Sequence, residues 1–141
     1  MTVALRAGLA LLAAASFMIG IWNQFWPEHF YLTFPGVALT PPFAEHYARD
    51  FGGATLGLAI VLTAAALFPR TILVIPALLG TAAFAVPHAW FHLHHLENAT
   101  PEVTAVTLLL TVGQPVATLA LLVAALVRWR RDARRPGKAR E

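Results

Sequence analysis

The chain has 141 residues, 58% of them hydrophobic and only 12% charged, with a formal net charge of +3. A soluble domain carries about 25% charged residues, so this composition argues against a soluble enzyme, a nucleic-acid module or a disordered chain and leaves a polytopic membrane protein. Cysteine is absent, which excludes disulfides, thiolate catalysis and Cys-ligated zinc or iron–sulfur centres.

Four apolar runs follow one another, at 5–24, 51–68, 71–96 and 103–127. Each is near the roughly 20 residues that a bilayer requires. They predict an all-α fold: an integral-membrane, antiparallel four-helix bundle over residues 1–127, followed by a basic tail, 128–141. The first run starts like a signal peptide, with Arg6 and the small residues Ala13, Ala14 and Ala15. Its apolar stretch continues through Phe17, Ile19, Ile21 and Trp22, which predicts a retained helix. The connection at 27–49 is the one long link. It holds Pro35-Gly36 and Pro41-Pro42 turn signals, but also Phe30, Tyr31, Phe34 and Phe43. That apolar content predicts a folded flap on the bundle. The later links, around Pro69-Arg70 and over 97–102, are short and make consecutive helices antiparallel neighbours.

Charge counting sets the expected orientation. With four spans the termini share one side, which holds Arg6, Arg70 and the tail residues Arg128, Arg130, Arg131, Arg134, Arg135, Lys138 and Arg140; the other side holds Arg49 alone. This excess predicts both termini in the cytoplasm and a multi-pass protein of the bacterial inner membrane. Glu28, Glu45, Asp50, Glu97, Glu102 and all six histidines fall on the outer side. The basic tail is expected to meet anionic lipid rather than nucleic acid.

The candidate chemistry lies at the outer end. On the third span, His88, His92 and His95 are spaced i, i+4, i+7 and form one helical stripe, just after Pro87. At the start of the second span, His46 and Asp50 share a stripe with Gly53 and Gly57, a small-xxx-small pattern that permits close helix contact. The Pro69-Arg70 turn makes these two helices neighbours, so the stripes could converge. The fourth span carries Thr104, Thr107, Thr111, Gln114 and Thr118 on one face. Gln114, near its centre, needs a partner inside the bundle and is the candidate to hold a cofactor or ligand. Arg49 is expected to snorkel and pair with Asp50.

Three readings of the site stay open. His46, Asp50, His88, His92 and His95 could ligate a transition metal such as zinc, iron or copper. Alternatively, Asp50 and His46 could do metal-free acid–base work on a lipophilic ligand, with redox or proton-transfer chemistry. A haem would need one histidine from each of the second and third spans. Against all three stands a structural reading, in which the histidines are interfacial side chains and the Thr/Gln stripe is helix–helix glue. A non-catalytic accessory or assembly subunit, with a homo-oligomeric or membrane-protein partner, is the competing function. A channel fits poorly, because four spans leave little room for a pore and the inner half supplies almost no charged lining.

The segments FWPEHFYLTFPG (25–36), PPFAEHYARDFGGATLGLAIVL (41–62) and VPHAWFHLHHL (86–96) resemble an uncharacterised family of small actinobacterial integral membrane proteins, distantly similar to the DoxX-like four-helix membrane proteins. The resemblance implies a four-helix membrane bundle over 1–127. It carries over no activity and names no functional residue.

Overall fold

The computed structural model describes residues 3–134. Within them the chain forms five helices: α1 (Val3–Phe25), α2 (Pro27–Thr33), α3 (Glu45–Leu67), α4 (Thr71–Leu93) and α5 (Pro101–Ala133), with a 3-10 turn at Val37–Leu39. No strand occurs among the described residues. Helices α1, α3, α4 and α5 are each long and apolar enough to cross a membrane. At 1.5 Å per residue the three 23-residue helices span about 35 Å, against about 30 Å of hydrocarbon. The protein is thus an all-helical bundle consistent with a multi-pass membrane protein.

Helix α1 packs chiefly on α3, and α4 on α5; α3 also touches α4, and α1 touches α5. The pairs are antiparallel. Arg6 on α1 reaches Ala66 near the end of α3, while Gln24 meets Arg49 near its start. Phe51, early in α3, lies on Phe84, late in α4, with ring centroids 5.5 Å apart.

Several boundaries differ from the expected ones, each for a local reason. Helix α3 begins at Glu45, six residues before the apolar run. Pro41-Pro42 cannot continue a helix, Ala44 is extended, and the i,i+4 pairs Glu45–Arg49 and His46–Asp50 support the first turns. Helix α4 stops at Leu93 rather than 96. The His94 and His95 rings fold back, each Nδ1–H donating to the carbonyl four residues earlier, of Trp90 and Phe91 at 2.8 Å. Those carbonyls lie in the last turn, where regular i,i+4 bonding runs out and only Phe91 keeps a backbone donor, the His94 N–H at 3.1 Å. Asn98 then turns the chain with φ 71°, a conformation that Asn tolerates better than most residues. Helix α5 continues through Ala133, so the segment from Arg128 to Ala133 is helix, not loose tail. Its 33 residues span about 50 Å, well beyond the other three helices. Arg135, Lys138 and Arg140 of the expected tail lie outside the described residues.

The flap is folded, as its aromatic content predicts. Helix α1 breaks at Trp26 and α2 restarts with Pro27 in its first turn. Phe30 is buried, stacks on Phe34 at 4.7 Å and meets Trp22 edge-on at 5.3 Å. Gly36 takes φ 83° and lies directly on Thr107 of α5, where a Cβ would strike the threonine side chain. This is the flap end of the bundle.

The interior has two halves of different chemistry. Away from the flap, Leu5, Leu9, Leu12, Leu62, Val74, Leu78 and Leu122 form an apolar core with several alanines. Towards the flap, the buried positions are small or polar: Ser16, Gly20, Asn23, Gly52, Thr81, Ala85, Ala89, His92, Thr107, Thr111 and Thr118. Most of these polar groups are satisfied locally. Asn23, Thr81, Thr111 and Thr118 each donate to the carbonyl four residues back, at 2.7–3.0 Å.

Two arginines latch α1 to α3, one at each end. Arg6 Nε donates to the Ala66 carbonyl at 3.2 Å, and Arg49 Nη1 donates to the Gln24 carbonyl. Both acceptors lie in the last turn of their helix, so each guanidinium serves an orphan carbonyl at a negative helix end. Arg49 also grips Glu45 Oε1 through Nε and Nη2 at 2.9 and 2.7 Å; its ion-pair partner is Glu45, not the expected Asp50. Arg49→Met should therefore lower stability by about 1–2 kcal/mol, a charge-assisted bond discounted for partial exposure. Glu45→Gln, which spares the Gln24 contact, should cost less. Thermal unfolding of both variants in detergent checks the order; equal losses would show that the Gln24 contact contributes nothing.

Candidate ligand site at the flap end

The expected stripes are present, but they do not meet in one cluster. His46 Nε2 and Asp50 Oδ2 form a pair at 3.2 Å on the exposed face of α3, their side chains 84% and 63% accessible. Gly53 and Gly57 lie on the same exposed face; a Cβ at Gly57 would meet nothing within 4 Å. The close contact of α3 uses the neighbouring position and a different helix. A Cβ at Gly52 would come within 2.6 Å of the Gln24 backbone nitrogen on α1, and Gly20 faces Leu56 and the Gly52 carbonyl. The small-residue seam is α1–α3, and His46 and Asp50 are turned away from it.

On α4 the histidines belong to an aromatic ladder. From Phe51 of α3 it runs through Phe84, His88 and His92, with centroid separations of 5.5, 4.9 and 4.6 Å. His88 is half-buried and His92 is 8% exposed, on the inward stripe of α4 with Ala85 and Ala89. His95 lies beyond the helix, exposed and stacked on Phe91 at 4.0 Å. The threonine stripe of α5 faces the interior: Thr107, Thr111 and Thr118 are buried, Thr104 and Gln114 half-buried.

Among the described residues, two buried polar atoms stand out because they lack a hydrogen-bond partner: Nδ1 of His92 and Oγ1 of Thr107. Each lies on the inward stripe of its helix, α4 and α5, which pack against each other. Counting about 1.5 Å per residue from the helix ends puts Thr107 at nearly the depth of His88, about one turn below His92. Gly36 of the flap covers Thr107. A buried donor or acceptor without a partner costs about 1–3 kcal/mol, so the pair marks a place where a further hydrogen-bonding molecule would be welcome. The hydrophobic spacing of α4 and α5 predicts which residues face inward. It gives no sign that these two atoms are left over, because that depends on what the opposing helix and flap bring.

A metal ion fits poorly here. No group of three or more His, Asp or Glu side chains among the described residues is placed to hold one. His46 and Asp50 form one pair and His88 and His92 another. Comparison with protein-family models, with curated proteins and with solved structures finds no match in any of the three, and bears neither for nor against the likeness to DoxX-like proteins.

Proposed function

We propose that this chain is a multi-pass protein of the bacterial inner membrane, both termini cytoplasmic, that binds a small lipophilic molecule through a hydrogen-bonding group. The site is the flap-end half of the bundle between α4 and α5, approached from the outer side. The observation that carries this reading is the two buried, unpartnered atoms His92 Nδ1 and Thr107 Oγ1, the second of them covered by Gly36 of the flap. The orientation rests on the nine-to-one excess of basic residues in the sequence segments assigned to the side of the termini.

The chemistry follows from the groups. A threonine hydroxyl donates or accepts, and an imidazole nitrogen does either according to its tautomer. A ligand with two polar groups about one helical turn apart, such as a hydroxyl and a carbonyl, can satisfy both. His88, edge-on to His92 at 4.6 Å, gives a second imidazole through which a proton could pass to the surface, so proton exchange with the ligand is within reach of these residues. His46 and Asp50 stand on the opposite, exposed face of α3 and take no part. A metal is not part of this proposal, since the ligand set does not assemble.

The test is organic extraction of protein purified from its native membrane in mild detergent, analysed by mass spectrometry. Wild type should yield a small molecule that is depleted in both His92→Phe and Thr107→Val. Identical extracts from all three proteins would overturn the proposal.

A second reading, an accessory subunit of a membrane complex, draws on Gly57 and Gly113, where an added Cβ would meet nothing within 4 Å. Such open small positions suit close approach by a foreign helix. Under that reading Gly57→Leu abolishes a stoichiometric pull-down while the isolated chain still folds.

A further inference from the structure

The flap end holds a second feature that the ligand site leaves unused. Between the α1–α2 junction, the chain before α3 and the first turns of α3 lies an open groove of about 290 Å³. That is at the small end of ligand pockets, enough for a headgroup but not for a whole lipid. From this groove we infer a binding site for a zwitterionic phospho-alkylammonium group, of the kind carried by phosphatidylethanolamine.

The lining carries both signs of charge and aromatic faces. Arg49 is held rigidly by Glu45 and the Gln24 carbonyl, yet its side chain remains 41% accessible. His29 Nδ1 accepts from Trp22 Nε1–H at 2.9 Å, so the proton of the neutral ring sits on Nε2, a second donor. These two groups suit a phosphate. The same groove is lined by the carboxylate of Glu28, by Glu45, which Arg49 holds, and by the rings of Trp26 and Phe43. A carboxylate beside an aromatic face is the environment that recognises an alkylammonium ion. A bare phosphate would meet the carboxylate of Glu28 here, and a bare amine would meet the Arg49 guanidinium. Only a ligand with both charges uses every group.

The surroundings point to a lipid as its source. Trp26 is 60% exposed and packs edge-on against Phe25, also 60% exposed, at 6.0 Å. Met18 and Ile21 continue this exposed apolar face along α1. A headgroup in the groove would leave its acyl chains to run down that face, with Trp26 at interfacial depth. The inference rests on the flap end lying at a membrane surface, and is independent of the ligand site between α4 and α5.

Protein reconstituted into nanodiscs of equal phosphatidylethanolamine and phosphatidylglycerol, then released into detergent, can be examined by native mass spectrometry. One phosphatidylethanolamine should be retained per chain in preference to phosphatidylglycerol. Glu28→Gln and Trp26→Leu should each weaken that preference about tenfold, the loss of one charge-assisted or cation–π contact. Glu97→Gln, a flap-end carboxylate outside the groove, should leave it intact. Displacement of the lipid by soluble phosphoethanolamine at matching concentration would assign the site to the free solute. Equal retention of the two lipids, or a preference unchanged in both groove variants, would overturn the inference.

Discussion

Gly52→Leu should prevent α1 from seating on α3, and no monodisperse folded protein should be recovered from membranes. The reason is backbone proximity. A Cβ at Gly52 lies 2.6 Å from the Gln24 nitrogen and 3.0 Å from the Asn23 carbonyl carbon. Those atoms belong to a helix and cannot swing aside as a side chain can. Even Gly52→Ala should cost about 1–3 kcal/mol, the usual range for overpacking, with more expected for a larger side chain. The damage spreads, because separating the helices here also withdraws the Gln24 carbonyl from Arg49. Gly57→Ala is the control. Its added methyl meets nothing within 4 Å, and replacing a mid-helix glycine gains up to about 1 kcal/mol of helix propensity. Thermal unfolding and size-exclusion profiles in detergent read both variants. An unchanged melting temperature for Gly52→Leu would show that α1 and α3 do not approach closely at this seam.

In ligand-free protein His92→Phe should act in the opposite direction and raise stability, and it should abolish ligand binding. Phenylalanine keeps the ring that packs against His88 and Phe91 but removes a buried nitrogen without a partner. Relief of that desolvation cost is worth about 1–3 kcal/mol, visible as a melting temperature higher by several degrees. Thr107→Val exchanges a buried, unpartnered hydroxyl for a methyl and should shift stability in the same direction, less far because Gly36 leaves little slack around it. Binding sites commonly hold such unfavourable groups at the expense of stability. The opposite signs separate the two roles: a histidine serving only as structure would lose both stability and extractable ligand, or stability alone. If both side chains contact one bound molecule, the double variant should lose no more ligand than either single one. Destabilisation of the ligand-free protein by His92→Phe would show that its nitrogen is paired within the fold and would remove the basis of the proposed site.

Much of the architecture was legible from the residues in order. Four apolar runs of bilayer length dictate four long helices, because a backbone in lipid must bond to itself. The aromatic residues among the prolines of 27–49 foretell a folded flap, since a chain so apolar cannot remain solvated. The threonine spacing on the fourth span foretells an inward stripe, and Thr107, Thr111 and Thr118 are buried there. Helix ends were less legible. Glu45 to Asp50 are too polar to register as part of an apolar run, yet their i,i+4 pairs extend α3 through them. Arg128 to Ala133 extend α5 in the same way.

What the sequence by itself determined is the set of elements, their apolar lengths and the sorting of charge between the two ends, because these follow from local periodicity and from the cost of burying charge. What only the tertiary structure decided is which faces meet. The Gly53–Gly57 stripe and the histidine stripe of α4 each look ready for contact, and a single turn joins their helices. Yet α3 rotates its neighbouring glycine, Gly52, towards α1. One residue along a helix is 100° of rotation, enough to carry His46 and Asp50 to the surface and keep them from His88 and His92. The same packing leaves His92 and Thr107 buried without partners. Satisfaction of a buried atom depends on every element around it, and no spacing within one helix encodes that.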